Sequence, residues 1–175
     1  MTSASYNPVT AQHQLGEFIV LFQHAEASIN ELLVLLSRVA DKAMRIHVRE
    51  LGYSQRLKTV DALFSRLVDL QRNPDLPAKA AFHKLMVLLG ELGRRRNELV
   101  HSTYMTLIDV AGDVGLFRQN SRLRDSKGIR EQKEEELLPD AFNKDIESLD
   151  IALQELGKFR LKIIDWIYPC EIAPS

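Results

Sequence analysis

The sequence predicts an all-α fold, a four-helix-bundle-like domain with one short β-hairpin inserted before the last helix. Three observations lead there. Gly (8) and Pro (6) are scarce among 175 residues, while Leu, Ala, Glu, Arg and Lys, mostly strong helix formers, dominate. Apolar residues recur in steps of three and four over long segments. Most links between those segments are short, which favours antiparallel neighbours in a bundle. The length suits a single domain, 1–175, with its core over about 10–168 and an insertion over about 103–136.

The elements follow in order. Residues 1–9 read as a frayed tail. From Thr10, a plausible N-cap, to Arg49, one stripe runs through Leu15, Phe18, Phe22, Ala25, Ile29, Leu32, Leu36 and Val39. Leu51-Gly52-Tyr53-Ser54 breaks the pattern, with Gly52 just past the helix end and Ser54 as the next N-cap. A second helix, Ser54 to Arg72, buries Leu57, Val60, Phe64, Leu67 and Leu70. Asn73-Pro74-Asp75-Leu76-Pro77 is a loop. The third helix starts near Pro77 and stops near Ser102–Tyr104.

Thr103 to Val110 is rich in β-branched and aromatic residues and reads as a strand. Ala111 to Gly115 supplies turn chemistry, and Leu116 to Leu123 returns as the second strand of a hairpin. Asp125 to Glu136 is densely charged. It reads as a mobile loop or solvated helix start, with Glu134, Glu135 and Glu136 solvated. Pro139 and Asp140 open the last helix, which runs to Tyr168. Phe142, Ile146, Leu149, Leu153, Leu156, Ile163 and Ile167 line one side, interrupted at Arg160.

Composition narrows the function. A net charge of -1 excludes a general nucleic-acid coat protein, which would be strongly basic. Any nucleic-acid contact must come from a local patch, and Arg94, Arg95 and Arg96 form the densest one. The single cysteine, Cys170, forbids an intramolecular disulfide and a thiolate zinc site. His13, His24, His47 and His83 are dispersed without metal-ligand spacing, so no metal or other cofactor is expected. Gly-rich phosphate loops and nucleophile elbows are absent from the sequence. The N-terminus lacks a secretory pattern. No contiguous apolar run approaches the ~18 residues of a membrane span, so a cytoplasmic protein without membrane contact is expected.

The third helix carries the chemistry. Its buried side is Phe82, Leu85, Leu89, Leu92 and Leu99, in steps of three, four, three and seven. The seven-residue step skips position 96, where a core stripe wants an apolar residue and this chain has Arg96. Either the guanidinium snorkels to water along its stem or it meets acidic or phosphate partners. On the next face, Gly90, Gly93, Asn97 and His101 fall within roughly 80°. Glycines inside a helix cost roughly 1 kcal/mol each against Ala. The strip lets another helix, a second copy or a nucleotide approach the backbone.

Asn97 and His101, four apart, face the same way. Arg96 lies about 140° from His101 by ideal geometry, while Arg94 is much closer in angle. Such a set suits metal-free cleavage of an RNA backbone. A neutral imidazole can take the 2′-hydroxyl proton or return one to the leaving oxygen. Arg96 can clamp the phosphate, Asn97 can orient the ring or bind a phosphate oxygen, and Arg94 and Arg95 can add substrate contacts. The bland alternative for His101 is a surface histidine favoured by the helix dipole.

Arg96-Asn97-Glu98-Leu99-Val100-His101 resembles the Arg-x4-6-His motif of the HEPN superfamily (higher eukaryotes and prokaryotes nucleotide-binding domains). The motif's place late in the third helix of a helical domain strengthens the likeness. The resemblance implies a four-helix-bundle-like HEPN domain, a metal-independent endoribonuclease with Arg96, Asn97 and His101 as catalytic residues, and an RNA substrate. It also implies a homodimer whose two motifs share one composite cleft. A toxin or phage-defence role is implied, with an antitoxin of minimal nucleotidyltransferase type as partner. In one branch a tyrosine two residues after the histidine receives a nucleotide. Here Tyr104 stands one position later, which sets that modification against a simpler role as a packed aromatic. The alternative function is a non-catalytic helical protein- or nucleotide-binding module using the same strip. A purely structural dimerisation bundle is the third reading.

Overall fold

In a computed structural model, the described residues are 8–38, 50–108, 114–124, 129–137 and 141–169. They form α1 (Pro8–Ser37), α2 (Tyr53–Asp69), α3 (Leu76–Val100), β1 (Thr103–Ile108), β2 (Val114–Arg124), β3 (Ile129–Glu136) and α4 (Asn143–Ile167). The protein is thus mostly helical with a small antiparallel sheet, in strand order β1-β2-β3. Several expectations lie outside the described residues. These are the tail over 1–7, the first helix over 39–49, the hairpin turn at 109–113, the charged stretch 125–128, the Pro139–Asp140 helix start and Cys170; Pro8 and Val9, expected in the tail, and Thr10, expected as N-cap, lie within α1.

The chain divides into two compact units, one of Met1–Leu21 and Arg94–Ser148, the other of Phe22–Gly93 and Leu149–Ser175. In the second unit the helical periods produce the buried faces. Phe22, Ala25, Ile29 and Leu32 of α1 are buried, as are Leu57, Val60 and Phe64 of α2 and Phe82, Leu85, Leu89 and Leu92 of α3. Phe64 stacks on Phe82 with centroids 4.1 Å apart, and Phe159 meets both edge-on at 5.5 and 5.0 Å. Trp166 stacks on the other aromatic neighbour, Phe64, at 5.8 Å. Asp75 caps α3 by accepting from the Ala78 amide at 3.0 Å, and its second oxygen takes Lys162 Nζ at 2.6 Å, tying the α2–α3 link to α4.

Three expectations are corrected in this unit. Ser54 is not the N-cap of α2. The cap is Gly52, whose amide donates to the Gln55 side chain at 3.2 Å. The α2 stripe ends on buried Val68, while Leu70 is 73% exposed. At 100° per residue 64→68 keeps the face, whereas 70 falls past the helix end. In α4, Phe159 fills the place of the interruption, and Arg160 points to Glu31 at 3.5 Å. A fourth correction concerns α1. Its segment Ala11–Ser37 is long and apolar enough to cross a membrane, by length and composition. Counting only contiguous apolar residues missed it because scattered polar residues interrupt every run. Within this unit α1 buries one face, through Phe22, Ala25, Ile29 and Leu32, and its Glu26 and Asn30 accept from Arg56 at 2.8 and 2.9 Å.

The glycines of α3 separate by function. A Cβ on Gly93 would lie 2.5 Å from Tyr53 Cε1. The Tyr53 ring is held there by its hydroxyl, which donates to Leu89 O at 3.2 Å, and by Phe22 at 5.1 Å. Burial, and then Glu26, push that hydroxyl's pKa well up, so it stays a donor. Gly93→Ala is therefore expected to cost about 1–3 kcal/mol through overpacking. A Cβ on Gly90 meets only Leu57 Cδ1 at 3.8 Å, so Gly90→Ala is expected to stabilise by about 0.5–1 kcal/mol. Thermal melts of the two variants check this. Equal melting temperatures would mean that the Tyr53 ring does not hold its place.

The first unit holds the sheet and its own buried side chains. Ala11 and Phe18 of α1, Leu99 of α3, Leu116 of β2, Leu137 and Phe142 are buried. Gln14 donates to Asn143 Oδ1 at 2.8 Å. β1 and β2 form the expected hairpin, in register Thr103↔Gln119 through Ile108↔Val114. The charged segment departs from expectation. Residues 129–136 are a third strand, paired with β2 from Phe117↔Glu136 to Arg124↔Ile129. A strand whose inward position is an ion-pair partner shows no apolar alternation, so the usual pattern could not reveal it.

Candidate functional site

A helix leaves its last carbonyls without intrahelical partners. α3 has no glycine cap at its end. Instead its carbonyls are taken by the chain that follows. Asn97 O accepts from the His101 amide at 3.1 Å, and Leu99 O from the Ser102 amide at 3.3 Å. Glu98 O accepts from Ser102 Oγ and from Asn120 Nδ2, the latter at 3.1 Å. Tyr104 Oη donates to Leu99 O at 2.8 Å. The turn bearing Asn97 and His101 is thus fastened to β1 and β2.

Beneath this turn lies an ion-pair ladder. The registers Tyr104↔Arg118 and Arg118↔Glu135 put three side chains in one row on one face of the sheet. Arg118 is only 1% exposed. Its Nη2 is bonded to Glu135 Oε2, and its Nη1 lies 3.5 Å from Ser102 Oγ. Glu135 also takes Arg95 in a two-pronged pair, each bond 3.3 Å. Arg95 Nε reaches Asp145 Oδ2 at 3.1 Å. The order Arg118–Glu135–Arg95–Asp145 alternates charge and sums to zero. Burial pushes the Glu135 carboxyl up, but Arg95 and Arg118 outweigh it and hold its pKa below the ordinary value. Burial likewise opposes the charge on Arg95, and Glu135 with Asp145 overcome it, so its pKa is raised. Burial raises Tyr104, against the opposing pull of Arg118 and Arg95.

The residues singled out in the sequence fall into two groups. Arg96 Nε is buried, while its Nη1 donates to Asn97 Oδ1 at 3.1 Å. The guanidinium thus turns toward Asn97. Asn97 and His101 are exposed, and Arg94 is exposed one turn earlier. Among the described residues the His101 ring has no hydrogen-bond partner. Arg96, Asn97 and His101 are therefore brought to one end of α3, with an imidazole presented to solvent. Arg95 and Tyr104 belong to the second group. The Arg95 guanidinium is taken up by Glu135 and Asp145, and the Tyr104 hydroxyl by Leu99 O.

Ser102, Arg118, Asn120 and Asp145 escaped the sequence reading, and Glu135, expected to be solvated, is instead held by Arg95 and Arg118. One signal was available. In Leu116-Phe117-Arg118-Gln119-Asn120 the alternate positions 116, 118 and 120 share a face, and a cation there, following a buried leucine, calls for an anion from a neighbouring strand. Among the described residues no group of three or more His, Cys, Asp or Glu is placed to hold a metal ion. No family model, curated protein or solved structure matches this chain.

Proposed function

We propose that this protein is a metal-independent endoribonuclease of the HEPN type, acting as a homodimer with a composite Arg/His site. The observation that carries the reading is the Arg96–Asn97 hydrogen bond at 3.1 Å, beside the solvent-facing His101. It supports a role for Arg96 on the face that ideal helix geometry denies it.

In this reading a neutral His101 accepts the proton of a ribose 2′-hydroxyl as the 2′-oxygen attacks phosphorus. The P–O5′ bond breaks, and an imidazolium returns a proton to the leaving 5′-oxygen. Pairing of two protomers brings a second His101 for that step. Arg96 directs its guanidinium at the non-bridging oxygens, where negative charge builds. Asn97 offers its Nδ2 donors, its oxygen already accepting from Arg96. Arg94 adds a phosphate contact. Arg95 stiffens the helix end instead of touching substrate, and Tyr104 serves as a packed cap. The wider reading is a cytoplasmic toxin or phage-defence effector, with a minimal nucleotidyltransferase as antitoxin. The Tyr53 ring already fills the approach to Gly93, so neither a second protomer nor the alternative, a non-catalytic binding module, draws on that part of the strip.

The test is cleavage of labelled RNAs in EDTA. His101→Ala is expected to lower the rate by about 10²–10⁴-fold, and Arg96→Ala to raise KM as well as lower kcat. Equal cleavage by wild type and His101→Ala, or no cleavage by wild type over varied RNAs, sinks the proposal.

A further inference from the structure

We infer that Asn120 and Ser102 are positioning residues for the His101 turn, through which the sheet sets the alignment of the site; the inference rests on the ribonuclease reading for its catalytic consequence. Neither residue belongs to the Arg-x4-His motif, and Asn120 is 22 residues from the carbonyl it binds.

The argument starts from Glu98 O. This carbonyl lies between Asn97 and His101 in the last turn of α3. The ordinary helical partner, the amide of residue 102, bonds to Leu99 O instead. Glu98 O takes two side-chain donors in its place, Ser102 Oγ and Asn120 Nδ2. Two donors, one from the α3–β1 link and one from β2, fix the direction of that peptide plane, which neither would do alone. The peptide plane in turn orients the turn on which Asn97 and His101 stand. Ser102 Oγ is itself within 3.5 Å of Arg118 Nη1, and Arg118 is locked by Glu135. Asn120 occupies the same face of β2 as Leu116 and Arg118. An apolar residue would serve burial there equally well, and only a donor reaches Glu98 O. Among the described residues the side chain of His101 has no bond of its own to orient it, so its place depends on the backbone below it. Positioning errors of about 1 Å cost a well-aligned reaction on the order of 10²-fold.

The decisive variant is Asn120→Asp. It keeps the shape and removes the donor, leaving an acceptor facing a carbonyl. Two readouts are taken on the full chain. Amide hydrogen exchange is followed at His101 and Ser102, whose N–H groups bond to Asn97 O and Leu99 O. RNA cleavage is resolved into kcat and KM. The expected result is exchange faster by about tenfold at those two amides, with exchange elsewhere in α3 unchanged. Cleavage is expected to fall by about 10- to 100-fold in kcat with little change in KM. Ser102→Ala gives the same pattern from the other donor and stands in if Asn120→Asp does not fold. Unchanged exchange at His101 and Ser102 in both variants overturns the inference, whatever the activity. So does a drop in activity carried by KM alone. A wild type that cleaves no RNA refutes the ribonuclease reading only, and exchange then still decides whether Asn120 fixes the turn.

Discussion

Replacing Glu135 with Gln is expected to destabilise the protein by about 3–5 kcal/mol. The cost arises at Arg118, whose side chain is fully buried and whose ionic partner in the ladder is Glu135. A guanidinium without a counter-ion in that position has neither water nor charge to stabilise it. Removing both ends tells a different story. Arg118→Met combined with Glu135→Leu is expected to recover most of the loss, because the desolvation of two charges disappears with them. Urea unfolding of the two single variants and the double variant measures the coupling. A Glu135→Gln midpoint equal to wild type would mean that Arg118 is hydrated in solution. The pH dependence has a definite sign. The folded-state pKa of Glu135 is lowered, so the unfolded chain binds its proton more readily. The stabilisation is complete above the ordinary glutamate range and is lost as pH falls through the depressed value. Acid should therefore lower the melting temperature more in wild type than in the double variant.

Phe64→Ala is the second large effect, expected at about 3–5 kcal/mol. Phe64 is fully buried and contacts Phe82, Phe159 and Trp166 with centroids between 4.1 and 5.8 Å. Truncation opens a cavity walled by rings, which collapse poorly because each is wedged by the others. Leu70→Ala supplies the control. At 73% exposure it should change stability by no more than about 0.5 kcal/mol. Denaturant midpoints of the two variants compare directly. A small effect at Phe64 would show that the aromatic cluster repacks around the gap.

The helices were legible because burial follows a period near 3.6, and Phe22, Phe64, Phe82 and Leu149 obey it. The β1–β2 hairpin was legible because Thr103-Tyr104-Met105-Thr106 favours an extended chain. β3 was not. Ile129 to Glu136 carries charge where strands usually carry apolar residues, and its inward-facing Glu135 serves an arginine instead of a core. The same reason hid half of the site. Asn97 and His101 could be placed together from a spacing of four. The partners of Arg95 lie 40 and 50 residues on, at Glu135 and Asp145, and no local pattern connects them. Gly93 illustrates a third kind of limit. Its cost to the helix was readable, but the aromatic ring it accommodates comes from Tyr53, in another helix.

The side-chain capping of α3 also orders events in time. Chains emerge from synthesis N-terminal end first. Arg96 and His101 therefore appear before Asn120, and Asn120 before Glu135. The contact from Ser102 to Glu98 O spans four residues and closes early. The contacts from Asn120 and from Arg118 to Glu135 need strands that have not yet been made. Until residue 135 is available, the end of α3 has its local bonds and lacks its distant ones. A nascent or truncated chain that stops before residue 135 thus carries the whole motif without the frame that aligns it.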